Sequence, residues 1–208
     1  MRQLTLIRHG LTEWNKRGKF QGHSDIELSE EGEQQAEALR MRLAKLERAG
    51  LALDWVVSSP LKRAYRTAEL ALPGREIGCD ERLKELNFGA FEGRTLAQNR
   101  EAEAWNTWYR DPFKHQTPGG ESYEALRLRV IDWLESLPEG HTAAFTHSGT
   151  IQMLISHILG VEHPRWRKRI VLRHTSLTRV LCQGGELVIE RVNDAQHLAP
   201  VADDSFKG

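Results

Sequence analysis

The chain has 208 residues, 39% hydrophobic and 28% charged, with basic and acidic side chains balanced at 29 each. That length and composition suit one globular α/β domain with a sizeable core, and the balanced charge excludes a global field that would draw the chain to nucleic acid or a membrane surface. Cys79 and Cys182 lie far apart in no metal-ligand spacing, so reduced thiols and a cytoplasmic location are expected.

The first strand is an apolar run, Leu4, Leu6 and Ile7, that ends abruptly in Arg8-His9-Gly10. The chain enters it directly and carries no apolar run of membrane-spanning length, so neither a signal peptide nor a membrane anchor is expected. Residues 15–28 read as loop. Ser29 caps a helix with Glu30 and Glu31 in its first turn, an apolar face of Ala36, Leu39, Leu43 and Leu46, and Gly50 as its stop. Residues 54–58 form a second short strand, after which Ser59-Pro60 is expected to open a helix with serine as cap and proline at its first position. Residues 77–93 read as an irregular packed loop around Glu85. A helical stretch with Leu96, Ala104, Trp105 and Trp108 runs up to Asp111-Pro112, and Pro118-Gly119-Gly120-Glu121-Ser122 is a turn and helix start, followed by Leu126, Val130 and Trp133 on one apolar face. Residues 142–146 form a buried strand ending on His147, followed by an apolar helix closed by Gly160. A terminal hairpin spans about 176–182 and 186–192. Strands alternating with helices, then a hairpin, predict a three-layer α/β/α sandwich with a mostly parallel central sheet and one antiparallel edge strand.

Arg8-His9, Arg63 and His147 thus follow three strand ends, where open α/β sheets bind ligands. Two arginines, two histidines and the helix starts near Pro60 and Ser148 make an anion-seeking pocket, with phosphate as its natural occupant. There is no phosphate-loop glycine motif and no aspartate cluster for magnesium, so no metal or cofactor is expected. A neutral histidine beside a phosphoryl group can attack it, provided its other ring nitrogen donates to a carbonyl that fixes the tautomer. Glu85 is the leading carboxylate to protonate the leaving oxygen, with burial and phosphate charge raising its pKa.

These residues occur in stretches that resemble the histidine phosphatase superfamily, which includes the cofactor-dependent phosphoglycerate mutases. The stretches are Leu6-Ile7-Arg8-His9-Gly10, Gln21-Gly22 through Leu28-Ser29-x-x-Gly32, Ser58-Ser59-Pro60-Leu61-Lys62-Arg63-Ala64, Glu85 through Phe88-Gly89 to Glu92-Gly93, Pro118-Gly119-Gly120-Glu121-Ser122, and Thr146-His147-Ser148-Gly149. The resemblance implies His9 as nucleophile and Glu85 as proton donor and then base for water. It implies Arg8, Asn15, Arg63 and His147 as phosphate contacts, with Gln21 and Gly22 near the substrate. Leu11 stands where glutamate is frequent. Ser148 stands where glycine is common, and its hydroxyl either donates to phosphate or caps the helix, with the cap favoured.

The stretch from Leu83 to Gly93 resembles the phosphatase branch more than the mutases, whose glutamate is typically followed by Arg-His-Tyr-Gly. The segment at about 93–119, a substrate cap within one 1–208 domain, is short for a mutase. The expectation is a metal-independent phosphatase acting on small phosphate monoesters through phosphohistidine, with a phosphoglycerate mutase as the alternative. The six tryptophans read first as core and loop packing, with Trp105, Trp108 and Tyr109 also candidates for the substrate entrance, and His174 and His197 for the pocket rim. The basic stretch Arg165, Arg167, Lys168, Arg169 and Arg173 raises a non-enzymatic alternative, a binding module, against the simpler reading of a solvated face. The terminal hairpin offers an edge for a homodimer.

Overall fold

A computed structural model describes residues 2–161 and 169–199. Its six strands are β1 (Arg2–Arg8), β2 (Trp55–Ser58), β3 (Gly78–Cys79), β4 (Gly140–Thr146), β5 (Leu177–Gln183) and β6 (Glu186–Asp194), in the order β3-β2-β4-β1-β5-β6. The pairs β3/β2, β2/β4 and β4/β1 are parallel, whereas β5 runs antiparallel to both β1 and β6. The antiparallel member therefore lies one strand in, and β6 forms the outer edge.

Alternation along the strands splits the core into two layers. Leu4 and Leu6 of β1 and Ala144 of β4 face a cluster that includes Leu126, Val130, Ile151 and Leu154. Ile7, Ala143 and Phe145 face the opposite cluster, with Leu39, Leu43 and Ala68. Side chains at successive strand positions point to opposite faces, so a buried strand needs apolar residues on both. Helices α6 (Tyr123–Glu135) and α7 (Ser148–Leu159) cover the first face, and α2 (Glu30–Arg48) and α3 (Lys62–Ala71) the second. The expected three-layer sandwich is the observed one.

The caps follow local chemistry. Ser29 Oγ accepts from the Gly32 amide at 3.2 Å, and α7 ends at Gly160 in the left-handed region, φ 63°. Other boundaries differ from the sequence reading. Helix α3 begins at Lys62 with Leu61 as its N-cap, because the Ser59 hydroxyl binds the Leu61 amide in a turn ahead of the helix. The loop before Glu85 contains the short β3, and two 3-10 turns flank the glutamate. The helical stretch from Leu96 up to Asp111-Pro112 divides into α4 (Leu96–Arg100) and α5 (Glu103–Arg110), and the loop after β1 contains the short α1 (Glu13–Lys16).

Candidate active site

Strand register assembles the site. Arg8 pairs with Thr146 and Ser58 with Phe145, so β1, β4 and β2 end side by side. The next residue of each chain segment, His9, His147 or Ser59, then falls into one small region. His9 donates its backbone N–H to the Thr146 carbonyl at 2.9 Å, and the His9 and His147 rings lie 5.1 Å apart. Both are buried.

The Nδ1 of His9 is 2.7 Å from the Gly10 carbonyl. A carbonyl only accepts, so Nδ1 carries the proton and Nε2 presents a lone pair. Burial, then the charges of Arg63 and Arg8, hold the His9 pKa well below 6.5, and the ring is neutral at pH 7. His147 is depressed for the same reasons, burial first and Arg63 second. Its Nε2 is 2.8 Å from Ser59 Oγ. Burial lowers Arg8 and Arg63 to about 10 each, which leaves both charged at neutral pH.

Glu85 is positioned by backbone. Its Oε1 accepts from the Leu86 amide at 2.9 Å and its Oε2 from the Gly149 amide at 3.0 Å, in the first turn of α7. Arg129 holds the loop from beneath, donating to the carbonyls of Arg82, Lys84 and Glu85 and to Glu121. Arg8, His9, Asn15, Gln21, Glu85, Ser148 and Gly149 line one cavity of about 190 Å³, together with Lys19, Phe20, Phe88, Tyr123 and Gln152.

Four buried polar atoms around His9 have no hydrogen-bond partner among the described residues: Arg8 Nε, Arg63 Nε, Gln21 Nε2 and His147 Nδ1. Leaving a buried donor unpaired costs about 1–3 kcal/mol, so a concentration of them calls for an explanation. Unpaired nitrogens on four residues beside His9 fit a group rich in acceptor oxygens.

The Arg63 guanidinium donates to the Gly22 and Ser24 carbonyls at 2.8 and 2.9 Å. Gly22 is tightly enclosed: a Cβ there would lie 2.3 Å from both Glu92 Oε1 and the Leu86 carbonyl. Ser148 does not cap α7, since His147 is the N-cap and makes no side-chain cap bond; Ser148 lines the cavity instead. The start of α3 is not open to an anion, because the Lys62 amide already donates to Asp25 at 2.7 Å. Trp105 and Trp108, each 1% exposed, belong to the core beneath Phe20 and Phe88, and Tyr123 takes the place at the cavity wall. Tyr109 packs on those tryptophans and is not a cavity residue.

His174 approaches His9 at 5.8 Å between ring centroids, whereas His197 stands one step back on Thr175. Phe88 belongs to one of the quoted stretches, whereas Lys19, Phe20 and Gln152 carry no local signal beyond their place near them. Of the basic stretch, Arg165, Arg167 and Lys168 lie outside the described residues, and Arg173 donates to the Ala199 carbonyl. Among the described residues no cluster of His, Cys, Asp or Glu is arranged to hold a metal ion, and no helix is long and apolar enough to cross a membrane.

A site of paired histidines, arginines and a carboxyl at the strand ends of such a sheet defines a phosphoryl-handling α/β protein, and residues 4–195 match the model of the histidine phosphatase superfamily (branch 1). The chain belongs to that superfamily, whose members are phosphatases and mutases. It is 36% identical to the Probable phosphoglycerate mutase GpmB of Escherichia coli O1:K1 / APEC, over 98% of this chain and 99% of the relative. Its fold is similar to a mutant phosphoserine phosphatase from Entamoeba histolytica in complex with phosphoserine, with TM-score 0.82, 29% identity, and coverage of 96% and 100% of the two chains. The alpha-ribazole phosphatase from Shigella flexneri is likewise similar, with TM-score 0.82 and 25% identity over 93% of this chain and 96% of that one.

Proposed function

We propose that the protein hydrolyses small-molecule phosphate monoesters through a phosphohistidine intermediate, without a metal. The observation that carries the reading is the set of unpartnered nitrogens, Arg8 Nε, Arg63 Nε, Gln21 Nε2 and His147 Nδ1, around a neutral His9 with a bare Nε2. His9 Nε2 forms a bond to phosphorus as the ester P–O bond breaks, and the Glu85 carboxyl gives its proton to the departing alkoxide. Glu85 then takes a proton from water, whose oxygen attacks phosphorus; the P–N bond breaks and inorganic phosphate leaves. Arg8 and Arg63 offset the charge on the transferring group throughout. Ser148, Asn15 and Gln21 contribute at the cavity wall, and Gly22 acts through its carbonyl.

The cavity also supports a small substrate. Its outer wall of Phe20, Phe88 and Tyr123 with Lys19 and Gln152 accommodates the alcohol portion. The mutase alternative has a GpmB relative in its favour by name, but the loop after Glu85 is Leu-Asn-Phe-Gly, and Phe88 lines the cavity. No nucleic acid or membrane partner enters the scheme.

The decisive experiment combines turnover with trapping. Wild-type protein should hydrolyse p-nitrophenyl phosphate and hold acid-labile label from a radioactive substrate, and His9→Ala should lose both. Robust turnover by His9→Ala would sink the covalent scheme. Interconversion of 2- and 3-phosphoglycerate with a bisphosphoglycerate primer, with little hydrolysis, would favour the mutase.

A further inference from the structure

One loop residue contacts the site from outside every motif. Residues 172–176 precede β5 and close over the end of β1. The Leu172 carbonyl accepts from Arg8 Nη1 at 2.5 Å, the Thr175 amide donates to the Arg8 carbonyl at 3.0 Å, and the Arg8 amide donates to the Ser176 carbonyl at 3.2 Å. This clamp holds Thr175, a β-branched residue, at φ 56°. That conformation is costly for such a side chain and persists only where the surroundings impose it. Its result is to bring His174 over His9 and against Asn15.

The contact is directional. Asn15 Oδ1 accepts from the Thr12 amide at 3.3 Å, which identifies that atom as the oxygen. His174 Nε2 lies 3.2 Å from the same oxygen, so Nε2 carries the proton and donates. Burial, followed by Arg8, keeps His174 neutral, which leaves one ring N–H, and the geometry places it on Nε2. Thr12 Oγ1 has a single proton and two acceptors in reach, Asn15 Oδ1 at 3.0 Å and Gln21 Oε1 at 2.9 Å. With His174 serving Asn15, the threonine proton is free to serve Gln21. Both amide oxygens are then held toward the protein, and both NH₂ groups are left for the cavity that Asn15 and Gln21 line.

We infer that His174 is a positioning residue that sets the amide orientation of Asn15, and through Thr12 that of Gln21, so that two NH₂ donors face an oxyanion. The inference rests on the phosphatase reading, because it assumes that the bound oxyanion is a phosphoryl group. It concerns binding of the oxyanion and not the breaking of its ester bond.

The test uses full-length protein, p-nitrophenyl phosphate as substrate, and inorganic phosphate and orthovanadate as competing oxyanions. His174→Phe keeps a ring and removes the donor, and His174→Gln restores an N–H. Losing a net hydrogen bond of ordinary strength should raise KM and the inhibition constant for phosphate about 3–10-fold in the Phe variant, with kcat within about twofold. The Gln variant should recover most of that loss. Combined with Asn15→Ala, His174→Phe should add nothing, whereas a merely structural role would give additive losses together with a lower Tm. An unchanged phosphate constant in a folded His174→Phe protein, or additivity with Asn15→Ala, would overturn the inference. Should the Phe variant not fold, His174→Ala removes the donor with less bulk and carries the same expectations. A wild-type protein that neither hydrolyses the ester nor binds phosphate would instead overturn the phosphatase reading.

Discussion

Gly149→Ala isolates the contribution of Glu85 without touching it. Gly149 is the second residue of α7, and its amide donates to Glu85 Oε2 at 3.0 Å. A Cβ added there would lie 2.2 Å from Glu85 Oε1 and 3.1 Å from its carboxyl carbon. Non-bonded carbon and oxygen need about 3 Å or more, so the carboxyl must retreat by about 1 Å. It is the far end of a flexible side chain, which makes the retreat cheap for the fold. Replacing glycine by alanine inside a helix also stabilises by roughly 0.5–1 kcal/mol. The loss falls on chemistry, where a displacement of about 1 Å costs on the order of 100-fold, within the ~10²–10⁴-fold typical of general acid–base help. We expect kcat on an alkyl phosphate to fall about 100-fold, p-nitrophenyl phosphate to fall much less because its leaving group needs little protonation, and Tm to hold or rise. Steady-state kinetics over esters of graded leaving-group pKa, beside a thermal melt, reads all three. An alanine variant that keeps kcat within about threefold of wild type on the alkyl ester refutes this placement of Glu85 as acid.

Glu85→Gln should show the same leaving-group pattern, slowing esters of poor leaving groups most. Turnover should survive EDTA dialysis, and a strict requirement for a divalent ion would contradict a metal-free pocket. His9 and His147 have folded-state pKa values below the unfolded value of about 6.5, so the unfolded chain takes up protons first as pH falls through 6.5. The stability contributed by their neutral rings is complete above that pH and is lost progressively as pH falls below it; an unchanged urea midpoint between pH 7.5 and 5.5 would contradict this. The part-buried Arg42–Asp194 pair, 2.7 Å apart, ties α2 to the end of β6. Arg42→Ala should cost about 1.5–3 kcal/mol, as for a hydrogen bond between charged groups, with Arg191 still reaching Asp194 at 3.2 Å, and a denaturant titration checks it.

The readable parts of this chain were those set by neighbours in sequence. Apolar runs marked β1 and β4, and Ser29, Ser122 and Gly160 marked helix ends through local hydrogen bonds and backbone conformation. Ser59-Pro60 misled because its local pattern is that of a cap, while the tertiary structure gives the Ser59 hydroxyl to the Leu61 amide and the His147 ring. For Trp105 and Trp108 the residue type favours a core and leaves an entrance open, and packing on Phe20, Phe91 and Tyr123 decides for the core.

By itself, then, the sequence singled out the residues proposed to carry chemistry, since Arg8-His9, Arg63, Glu85 and His147 each stand in a local pattern that prepares a strand end, a helix or a tight loop. Tertiary structure alone decided how they meet. The parallel register of β1 with β4 sets His9 beside His147, the α7 amide aims Glu85, and the loop before β5 swings His174 onto Asn15. Those relations join residues from 64 to 159 positions apart. Strand order and loop closure create such contacts, and no periodicity within a single segment encodes them.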